Sequence, residues 1–390
     1  MNELKALDRQ YIANTYARSD VLFTHGKGSL LYDDAGKEYI DMGSGIAVNT
    51  FGIGDEAWEN AVTVQAKQLQ HISNLYYTSP QIRLAELLCE KSGMKKVFFG
   101  NSGAEANECA IKAARKYSNN KYTPAAGRNG IVTLKNSFHG RTLTTLSATG
   151  QEAFHQHFFP FTEGFVFAEP DDIPGMKALV ESRRVCAIMI ELIQGEGGIH
   201  TLSKEYVAAL AQMAQEKDIL LIVDEVQTGN GRTGSLYAYM EYGITPDIIT
   251  TAKGLGGGLP IGACLFGEKT QHVLDAGSHG STFGGNPVCC AGALSILERL
   301  DEDLLAEVQN KSDYIIRKLT SCKKVQSISG MGLMLGIACE KDSKALAAAC
   351  LSRGVVALTA KNKLRLLPAL NIPMPVLQKA VRIIKEEIEK

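Results

Sequence analysis

The sequence predicts an α/β protein whose large domain is built on a mostly parallel sheet. Seven short apolar segments favour this class, because helical patterns separate several of them and strands that alternate with helices pair in parallel. The segments are residues 96–99, 131–135, 165–168, 186–191, 219–223, 247–251 and 263–266. After residue 285, longer helical patterns and mixed short strands predict a second, smaller α+β domain.

The chain divides into three predicted parts. Residues 1–55 are expected to form an N-terminal arm and a small β-region, residues 56–285 the large domain, and residues 286–390 the C-terminal domain. The last part closes with a predicted helix over residues 375–389, where apolar residues recur on one helical face.

Composition and charge exclude several classes of protein. The 390 residues are 45% hydrophobic and 21% charged, which is typical of a globular chain. A net charge of −1 argues against a nucleic-acid partner or a polybasic membrane surface. No apolar run approaches the roughly 18–20 residues of a membrane helix, and residues 1–8 lack the features of a secretory signal. We expect no nucleic-acid or membrane partner.

The nine cysteines indicate a reducing compartment. They are scattered, odd in number and never spaced as CxxC, and most lie in apolar segments. Unpaired cysteines of this kind behave as small apolar residues. We therefore expect a cytoplasmic protein with no metal site.

Two neighbouring strand ends carry the most informative chemistry. The segment 219–223 ends at Asp224 and Glu225, and the segment 247–251 ends two residues before Lys253. Ligands of open α/β sheets bind at the carboxyl ends of strands, so we expect Asp224 and Lys253 to face one crevice. A lysine amine can hold the aldehyde of pyridoxal 5′-phosphate (PLP), and a carboxylate can keep its pyridine nitrogen protonated. A purely structural ion pair is the alternative.

A helix start after the segment 96–99 is a candidate phosphate site. Ser102 and Glu105 have the spacing of a capping box, which alone would explain them. Gly103 would let the backbone approach a ligand, and the free N–H groups at a helix start bind phosphate. Ser281 and Thr282, with the two glycines that follow them, could complete such a site.

Other strand ends carry aromatic, basic and acidic residues. Phe138 could stack on a planar ring and Arg141 could clamp a carboxylate, whereas His139 is interpreted as an ordinary core residue. Residues 190–198 contain three glycines and two glutamates, which suit either a ligand loop or a tight turn with solvated carboxylates. The glycine-rich residues 254–260 lack GxGxxG spacing and are not interpreted as a dinucleotide loop.

Taken together, these residues resemble the class III, PLP-dependent ω-aminotransferases. The matching blocks are NSGAEANE (101–108), FHGR (138–141), IQGEGG (193–198), DEVQTGNGRTG (224–234), PDIITTAKGLGGGLPIGA (246–263), STFGGNP (281–287) and RLLP (365–368). They follow the order of the family over nearly the whole chain. The resemblance implies fold type I of the PLP-dependent transferases, with a seven-stranded sheet, a small domain formed by both ends of the chain, and a homodimer.

The resemblance also implies roles in cofactor binding. Lys253 would bond to the cofactor and shuttle a proton, Asp224 would pair with the pyridinium nitrogen, and Gln227 would contact the ring hydroxyl. Val226 and Phe138 would enclose the ring. The other implied cofactor residues are Ser102, Gly103, Ala104, Glu225 and Thr282, with Thr282 reaching across from a second subunit.

The implied substrate residues are Arg141, Ser281, Tyr16, Arg365 and Glu196. In the family, Arg365 would bind the α-carboxylate of glutamate, and Glu196 would neutralise Arg365 while an ω-amino substrate is bound. The short length and the blocks TYAR (15–18), GIAVN (45–49) and RLLP favour N2-acetyl-L-ornithine as amino donor and 2-oxoglutarate as acceptor. Leu192 and residues 51–56 depart from the family pattern.

Several alternatives remain open from the sequence. Ornithine, succinylornithine or 4-aminobutyrate could be the amino donor on the same scaffold. A nucleotide-binding α/β protein without catalysis, using residues 254–258, is an alternative from another class.

Overall fold

The computed structural model describes residues 3–182 and 184–390. Its α-helices are α1 (Glu3–Tyr11), α2 (Ser44–Ala47), α3 (Glu56–Gln68), α4 (Ser79–Ser92), α5 (Gly103–Tyr122), α6 (Leu143–Ala148), α7 (Ile173–Ser182), α8 (Lys204–Glu216), α9 (Tyr239–Tyr242), α10 (Pro287–Leu297), α11 (Glu302–Thr320), α12 (Ser343–Ser352) and α13 (Met374–Glu389). Its strands are β1 (Phe23–Lys27), β2 (Leu30–Asp33), β3 (Glu38–Asp41), β4 (Lys96–Gly100), β5 (Gly130–Leu134), β6 (Phe165–Ala168), β7 (Val185–Ile190), β8 (Ile193–Gln194), β9 (His200–Thr201), β10 (Leu220–Asp224), β11 (Ile248–Thr251), β12 (Gly262–Phe266), β13 (Val325–Met331), β14 (Met334–Cys339), β15 (Val355–Val356), β16 (Leu358–Ala360) and β17 (Lys363–Leu366).

The large sheet has seven strands in the order β4-β12-β11-β10-β7-β5-β6. The pairs from β11 to β6 are parallel, and β12 runs antiparallel to both of its neighbours. Each of the seven apolar segments forms one of these strands. The predicted α/β class with a mostly parallel seven-stranded sheet is confirmed.

The sheet is buried on both faces, which explains why its strands are continuously apolar. In β10, Leu220 and Ile222 pack into a core cluster with residues of α5, whereas Leu221 and Val223 pack into another with residues of α8. Successive side chains of a strand point to opposite faces, so one strand contributes to both cores. All five residues of β10 are buried.

Several strand ends differ from the sequence prediction by one residue, and two of these differences bear on chemistry. The strand predicted over 186–191 ends at Ile190, so Glu191 belongs to the following loop. The strand predicted over 219–223 includes Asp224 as its last residue. Because β10 pairs with β11 in parallel, Asp224 lies directly beside Thr250.

Two four-stranded sheets lie outside the large sheet, and one of them contains strands from both ends of the chain. One has the order β1-β2-β3-β15, in which β3 pairs in parallel with the C-terminal strand β15. The other has the order β13-β14-β17-β16 and carries Arg365 on β17. Among the described residues, no helix is both long enough and apolar enough to cross a membrane.

Candidate active site

A cavity of about 480 Å³ lies beyond the carboxyl ends of β5, β7, β10 and β11, against the start of α5. Its position follows from the sheet, because parallel strands present their terminal loops at one edge. Predicted site residues that line this cavity are Ser102, Gly103, Ala104, Phe138, Arg141, Asp224, Val226, Gln227 and Lys253. The structure therefore brings Asp224 and Lys253 to one cavity.

Asp224 is buried and held by a small hydrogen-bond network. Its Oδ2 accepts a hydrogen bond from Asn107 Nδ2 (2.8 Å), and its Oδ1 accepts one from the Val226 backbone N–H (3.0 Å). His139 Nδ1 lies 2.8 Å from Oδ2, so the acceptor carboxylate makes Nδ1 the protonated nitrogen of the ring. Thr250 donates to Asn107 Oδ1 (2.7 Å) and fixes the orientation of that amide. The carboxylate is thus aimed at the cavity rather than free to rotate.

His139 and Asn107 were not predicted as part of this network. His139 is a buried residue, as interpreted from the sequence, yet its ring contacts the central carboxylate and its Nε2 has no partner among the described residues. Asn107 lies four positions after Gly103 on α5, so both residues share one helical face. That spacing was the signal in the sequence that could have identified Asn107.

Lys253 follows β11 in a left-handed backbone conformation, with a φ of 46°. Burial lowers the pKa of its amine below the ordinary value for lysine, and Arg365 acts in the same direction. Glu196 and Asp224 oppose this change in the pKa, as their negative charges favour the ammonium form. A lowered pKa enlarges the neutral fraction of the amine, which is the nucleophilic form.

The start of α5 forms one wall of the cavity. Ser102 caps the helix by accepting a hydrogen bond from the Glu105 N–H (3.2 Å). The reciprocal half of the predicted capping box is wrong, because the Glu105 carboxylate accepts from the backbone N–H of Asn101 instead of that of Ser102. Gly103 and Ala104 occupy the first turn, where N–H groups have no partner within the helix and can bind an anion.

Gly103 is required by close packing as well as by its place at the helix start. A Cβ atom added at Gly103 would lie 2.7 Å from Cγ1 of Val226, closer than such atoms approach in proteins. Val226 and Phe138 both line the cavity. The absence of a side chain at Gly103 therefore lets Val226 pack directly against the start of α5, where it forms part of the cavity wall.

Phe138 and Arg141 lie together at the end of β5. The Phe138 ring meets that of Phe154 edge-on, with centroids 6.0 Å apart and planes at 75°. The exposed Arg141 guanidinium lies 4.1 Å from the Phe154 centroid and 5.5 Å from the Phe138 centroid. Cation–π contacts hold this arginine at the mouth of the cavity.

Arg365 is a buried cation next to the cavity. Its Nη1 donates to Glu196 Oε1 (2.6 Å), to Gln227 Oε1 (3.2 Å) and to the Gly195 carbonyl oxygen (3.3 Å). Its Nε is buried without a partner among the described residues. The Glu196 side chain is 31% exposed, against 4% for Arg365, so the carboxylate is the partner that can move into solvent.

Glu191 is not a solvated carboxylate, as one interpretation of residues 190–198 allowed. It is buried and lines the cavity. Burial raises the pKa of this acid well above its ordinary value, and the nearby charge of Asp224 adds to that effect while His139 opposes it. The sequence identified the acidic loop but not the burial of this residue.

Besides Arg365 and Glu196, four further predicted site residues do not line the cavity. The Glu225 carboxylate accepts from the Thr228 hydroxyl and from the Tyr239 N–H (2.8 Å), and burial raises its pKa to about 7. The Glu225 side chain therefore points away from the cavity, because consecutive residues at a strand end point in opposite directions. Its contact with the cofactor stays a prediction. Ser281 Oγ accepts from Asn101 Nδ2 (3.1 Å), at the rim.

The other two residues outside the cavity lie on the surface. Thr282 is exposed in a separate depression that His71, Ser73 and Asn74 also line. Tyr16 is 71% exposed and borders a groove formed by N-terminal residues. Neither residue lines the cavity that contains Lys253.

The glycine-rich segment after Lys253 lines the cavity with Gly258, Leu259 and Pro260, and its earlier glycines are used for packing. The Trp58 Nε1 donates to the Gly256 carbonyl oxygen (3.0 Å). A Cβ atom at Gly257 would lie 2.9 Å from Cδ1 of Ile296 and 3.0 Å from Trp58 Nε1.

Comparisons with known proteins agree in family and fold. The model of the family aminotransferase class-III matches residues 11–388. The acetylornithine aminotransferase of Haemophilus ducreyi is 48% identical over 391 residues, covering 100% of this chain and 99% of that protein. The solved ornithine aminotransferase of Toxoplasma gondii, described with partial occupancy of PLP at its active site, superposes with a TM-score of 0.93 at 30% identity, covering 99% of this chain and 94% of that chain. The N-acetylornithine aminotransferase of Stenotrophomonas maltophilia has a TM-score of 0.85 at 32% identity and covers 98% of both chains.

Proposed function

From the premise that this chain belongs to the class-III aminotransferases, we propose that it is a PLP-dependent acetylornithine aminotransferase. The proposed reaction converts N2-acetyl-L-ornithine and 2-oxoglutarate to N-acetyl-L-glutamate 5-semialdehyde and L-glutamate, a step of arginine biosynthesis. The observation that carries the proposal is that Asp224 and Lys253 line one cavity beside the start of α5.

The residues around the cavity fit PLP in their chemistry. A helix start suits its phosphate, a buried carboxylate suits its pyridine nitrogen, and a lysine with a lowered pKa suits its aldehyde. The side chains of Val226 and Phe138, which both line the cavity, suit the faces of a planar ring. When bound, PLP supplies an electron sink for negative charge that develops on the amino carbon of the substrate.

The protein supplies position, charge and proton transfer. Asp224, oriented by Asn107 and His139, would hold a negative charge at the pyridine nitrogen. Lys253 would anchor the cofactor and carry a proton between two carbons as a general base and acid. Its lowered pKa suits both tasks, because the neutral amine must be accessible near neutral pH.

The Glu196–Arg365 pair would adapt the site to two kinds of substrate. While the Glu196 carboxylate accepts a hydrogen bond from Arg365, it neutralises the charge of the guanidinium. The site then suits the end of the amino donor where the carbon that bears the ω-amino group carries no carboxylate. When Glu196 moves aside, Arg365 can bind the α-carboxylate of glutamate with two parallel hydrogen bonds. The partial exposure of Glu196 and the burial of Arg365 support this division of roles.

The identity of the amino donor is tested by side-by-side kinetics. We expect kcat/KM for N2-acetyl-L-ornithine to exceed the values for ornithine, succinylornithine and 4-aminobutyrate, with 2-oxoglutarate as acceptor. The proposed donor is wrong if acetylornithine is the poorest of the four.

The proposed cofactor is tested by the visible spectrum. The purified protein should be yellow, and Lys253→Ala should lose that absorbance and the turnover. Lys363→Ala is the matched control, because burial also lowers the pKa of Lys363 but its amine donates to Ser329 Oγ (2.6 Å), away from the cavity. A Lys253→Ala protein that kept full turnover would end the proposal.

A homodimer with Thr282 contributed across the interface is part of the proposal. Its support is a set of exposed apolar residues near Thr282, with Leu75, Tyr77 and Phe283 exposed by 85%, 95% and 59%. Large exposed apolar patches mark interaction surfaces. Light scattering should give twice the chain mass, and Leu75→Asp should reduce it to the mass of one chain. A monomeric wild-type protein with full activity would contradict this assembly.

We also propose a cytoplasmic location, supported by nine cysteines that are all unpaired.

A further inference from the structure

Glu191 is a buried acid at the cavity to which the proposed function assigns no role. It directly follows β7, and its two carboxylate oxygens contact two different loops. Its Oε2 accepts from the backbone N–H of Phe138 (2.9 Å), and its Oε1 accepts from the backbone N–H of Gly195 (3.2 Å). One side chain thus connects the loop after β5 with the loop after β7.

The Gly195 peptide is held from three sides. Its N–H is bound by Glu191, and its carbonyl oxygen accepts from Arg365 Nη1 (3.3 Å). A Cβ atom at Gly195 would lie 2.2 Å from Gln227 Nε2, so this backbone is pressed against the Gln227 side chain. The next residue, Glu196, makes the ion pair with Arg365 (2.6 Å). The position of this peptide therefore sets the position of the ion pair.

The other contact of Glu191 fixes the aromatic wall. Phe138 lines the cavity, and the hydrogen bond from its N–H to Glu191 attaches this part of the backbone to the end of β7. Elsewhere in the same loops, Gln194 Nε2 donates to the Lys135 carbonyl oxygen (2.8 Å). A displacement of Glu191 would move the Phe138 ring and the Gly195 peptide together.

We propose that Glu191 is a positioning residue that holds the loop after β5 and the loop after β7 together. It thereby fixes the relative positions of the Glu196–Arg365 pair and the Phe138 ring. The inference rests on the proposed function, since it assigns to Glu191 the placement of groups that act on glutamate and PLP. Only a carboxylate meets both contacts, because each oxygen accepts from one backbone N–H.

The test is Glu191→Gln in the holoenzyme. Glutamine has one carbonyl oxygen, so its amide would face one of the two N–H groups and release that loop. We expect the KM for 2-oxoglutarate to rise roughly ten-fold, the scale of one lost hydrogen bond to a charged group, while the KM for acetylornithine changes by less than about two-fold. We also expect the visible circular dichroism of bound PLP to change, because the Phe138 wall moves.

Asp41→Asn is the matched control. Asp41 is another buried carboxylate, whose Oδ1 accepts from the backbone N–H groups of Gly43 (2.9 Å) and Ser44 (2.8 Å). This change removes a buried charge outside the cavity, so we expect both KM values and the dichroism to stay at wild-type levels.

Three outcomes separate the interpretations. Unchanged KM values and dichroism in Glu191→Gln, even with a lower melting temperature, would overturn the proposal and leave a structural role. The same changes in Asp41→Asn would overturn it as well, because they would then reflect general destabilisation. A wild-type protein that binds PLP but does not use these substrates refutes the proposed function instead, and the dichroism of Glu191→Gln still decides the role of Glu191.

Discussion

Replacing Arg365 by lysine separates the two half-reactions of the proposed enzyme. The guanidinium can hold a substrate carboxylate with two parallel hydrogen bonds, whereas an ammonium group acts as a single point charge. The loss of one hydrogen bond to a charged group costs about 1.5–3 kcal/mol. At about 1.36 kcal/mol per factor of ten, kcat/KM for glutamate should fall roughly 10- to 150-fold.

The amino-donor half-reaction should respond much less. In that half-reaction Glu196 neutralises the cation at position 365, and a lysine there can still pair with Glu196, which is 2.6 Å from Arg365 in the structure. We expect kcat/KM for acetylornithine to stay within about three-fold of the wild-type value, since the interaction lost is made only with glutamate. Stopped-flow absorbance of the bound cofactor measures each half-reaction separately.

Lys363→Arg is the control for this experiment. Lys363 lies on the same strand, β17, but its amine contacts Ser329 (2.6 Å) rather than the cavity residues. We expect both half-reactions to be unchanged in this variant. Equal losses in the two half-reactions of Arg365→Lys, or a larger loss with acetylornithine, would refute the assignment of Arg365 to the carboxylate.

Three further predictions follow from packing, burial and exposure. Gly103→Ala places a Cβ atom 2.7 Å from Val226 Cγ1. Overpacking costs about 1–3 kcal/mol, so the Kd for PLP should rise roughly 5- to 150-fold in equilibrium dialysis. An unchanged Kd would contradict the proposal that Gly103 and Val226 form a wall of the PLP site. Burial raises the pKa of Glu225 from 4.5 to about 7. The protonated form of Glu225 therefore stabilises the folded protein fully at pH values below the ordinary pKa, and this stabilisation is lost as the pH rises through about 7. Glutamine does not titrate, so the free energy of unfolding of Glu225→Gln, relative to that of the wild type, should increase by up to about 3 kcal/mol between pH 5 and pH 8. The melting temperatures of the wild-type protein and Glu225→Gln at pH 5 and pH 8 test this prediction. The same difference in melting temperature between the two proteins at both pH values would refute it. Seven of the nine free cysteines are buried, while Cys89 and Cys339 are half-buried. Because a thiol reagent reacts only with accessible thiols, it should modify at most two cysteines in the native protein and all nine after unfolding.

The architecture could be predicted because its strands are defined by local pattern. A strand buried on both faces is continuously apolar, as in residues 219–223, and this can be recognised without knowledge of its neighbours. Chemistry at the strand ends, such as Asp224 and Lys253, then followed from the rule that parallel strands end at one edge. The family resemblance depended on those same residues in a fixed order.

Side-chain direction at the strand ends could not be predicted in the same way. Asp224 faces the cavity, whereas the adjacent Glu225 contacts Thr228 and Tyr239 on the other side. The direction depends on the last paired residue of the strand, and an error of one residue reverses it. The sequence prediction ended β10 one residue early, and it included Glu225 as well as Asp224 among the cofactor residues.

The sequence by itself determined the alternation of strands and helices, the chemical groups at the strand ends, and the family that they resemble. Only the tertiary structure decided which of those groups share a buried environment. Glu191 shows the reason most clearly, because it bonds to Phe138, a residue 53 positions away, as well as to Gly195 in its own loop. Burial and electrostatic coupling depend on distances in space, which are set only when the two loops fold against each other.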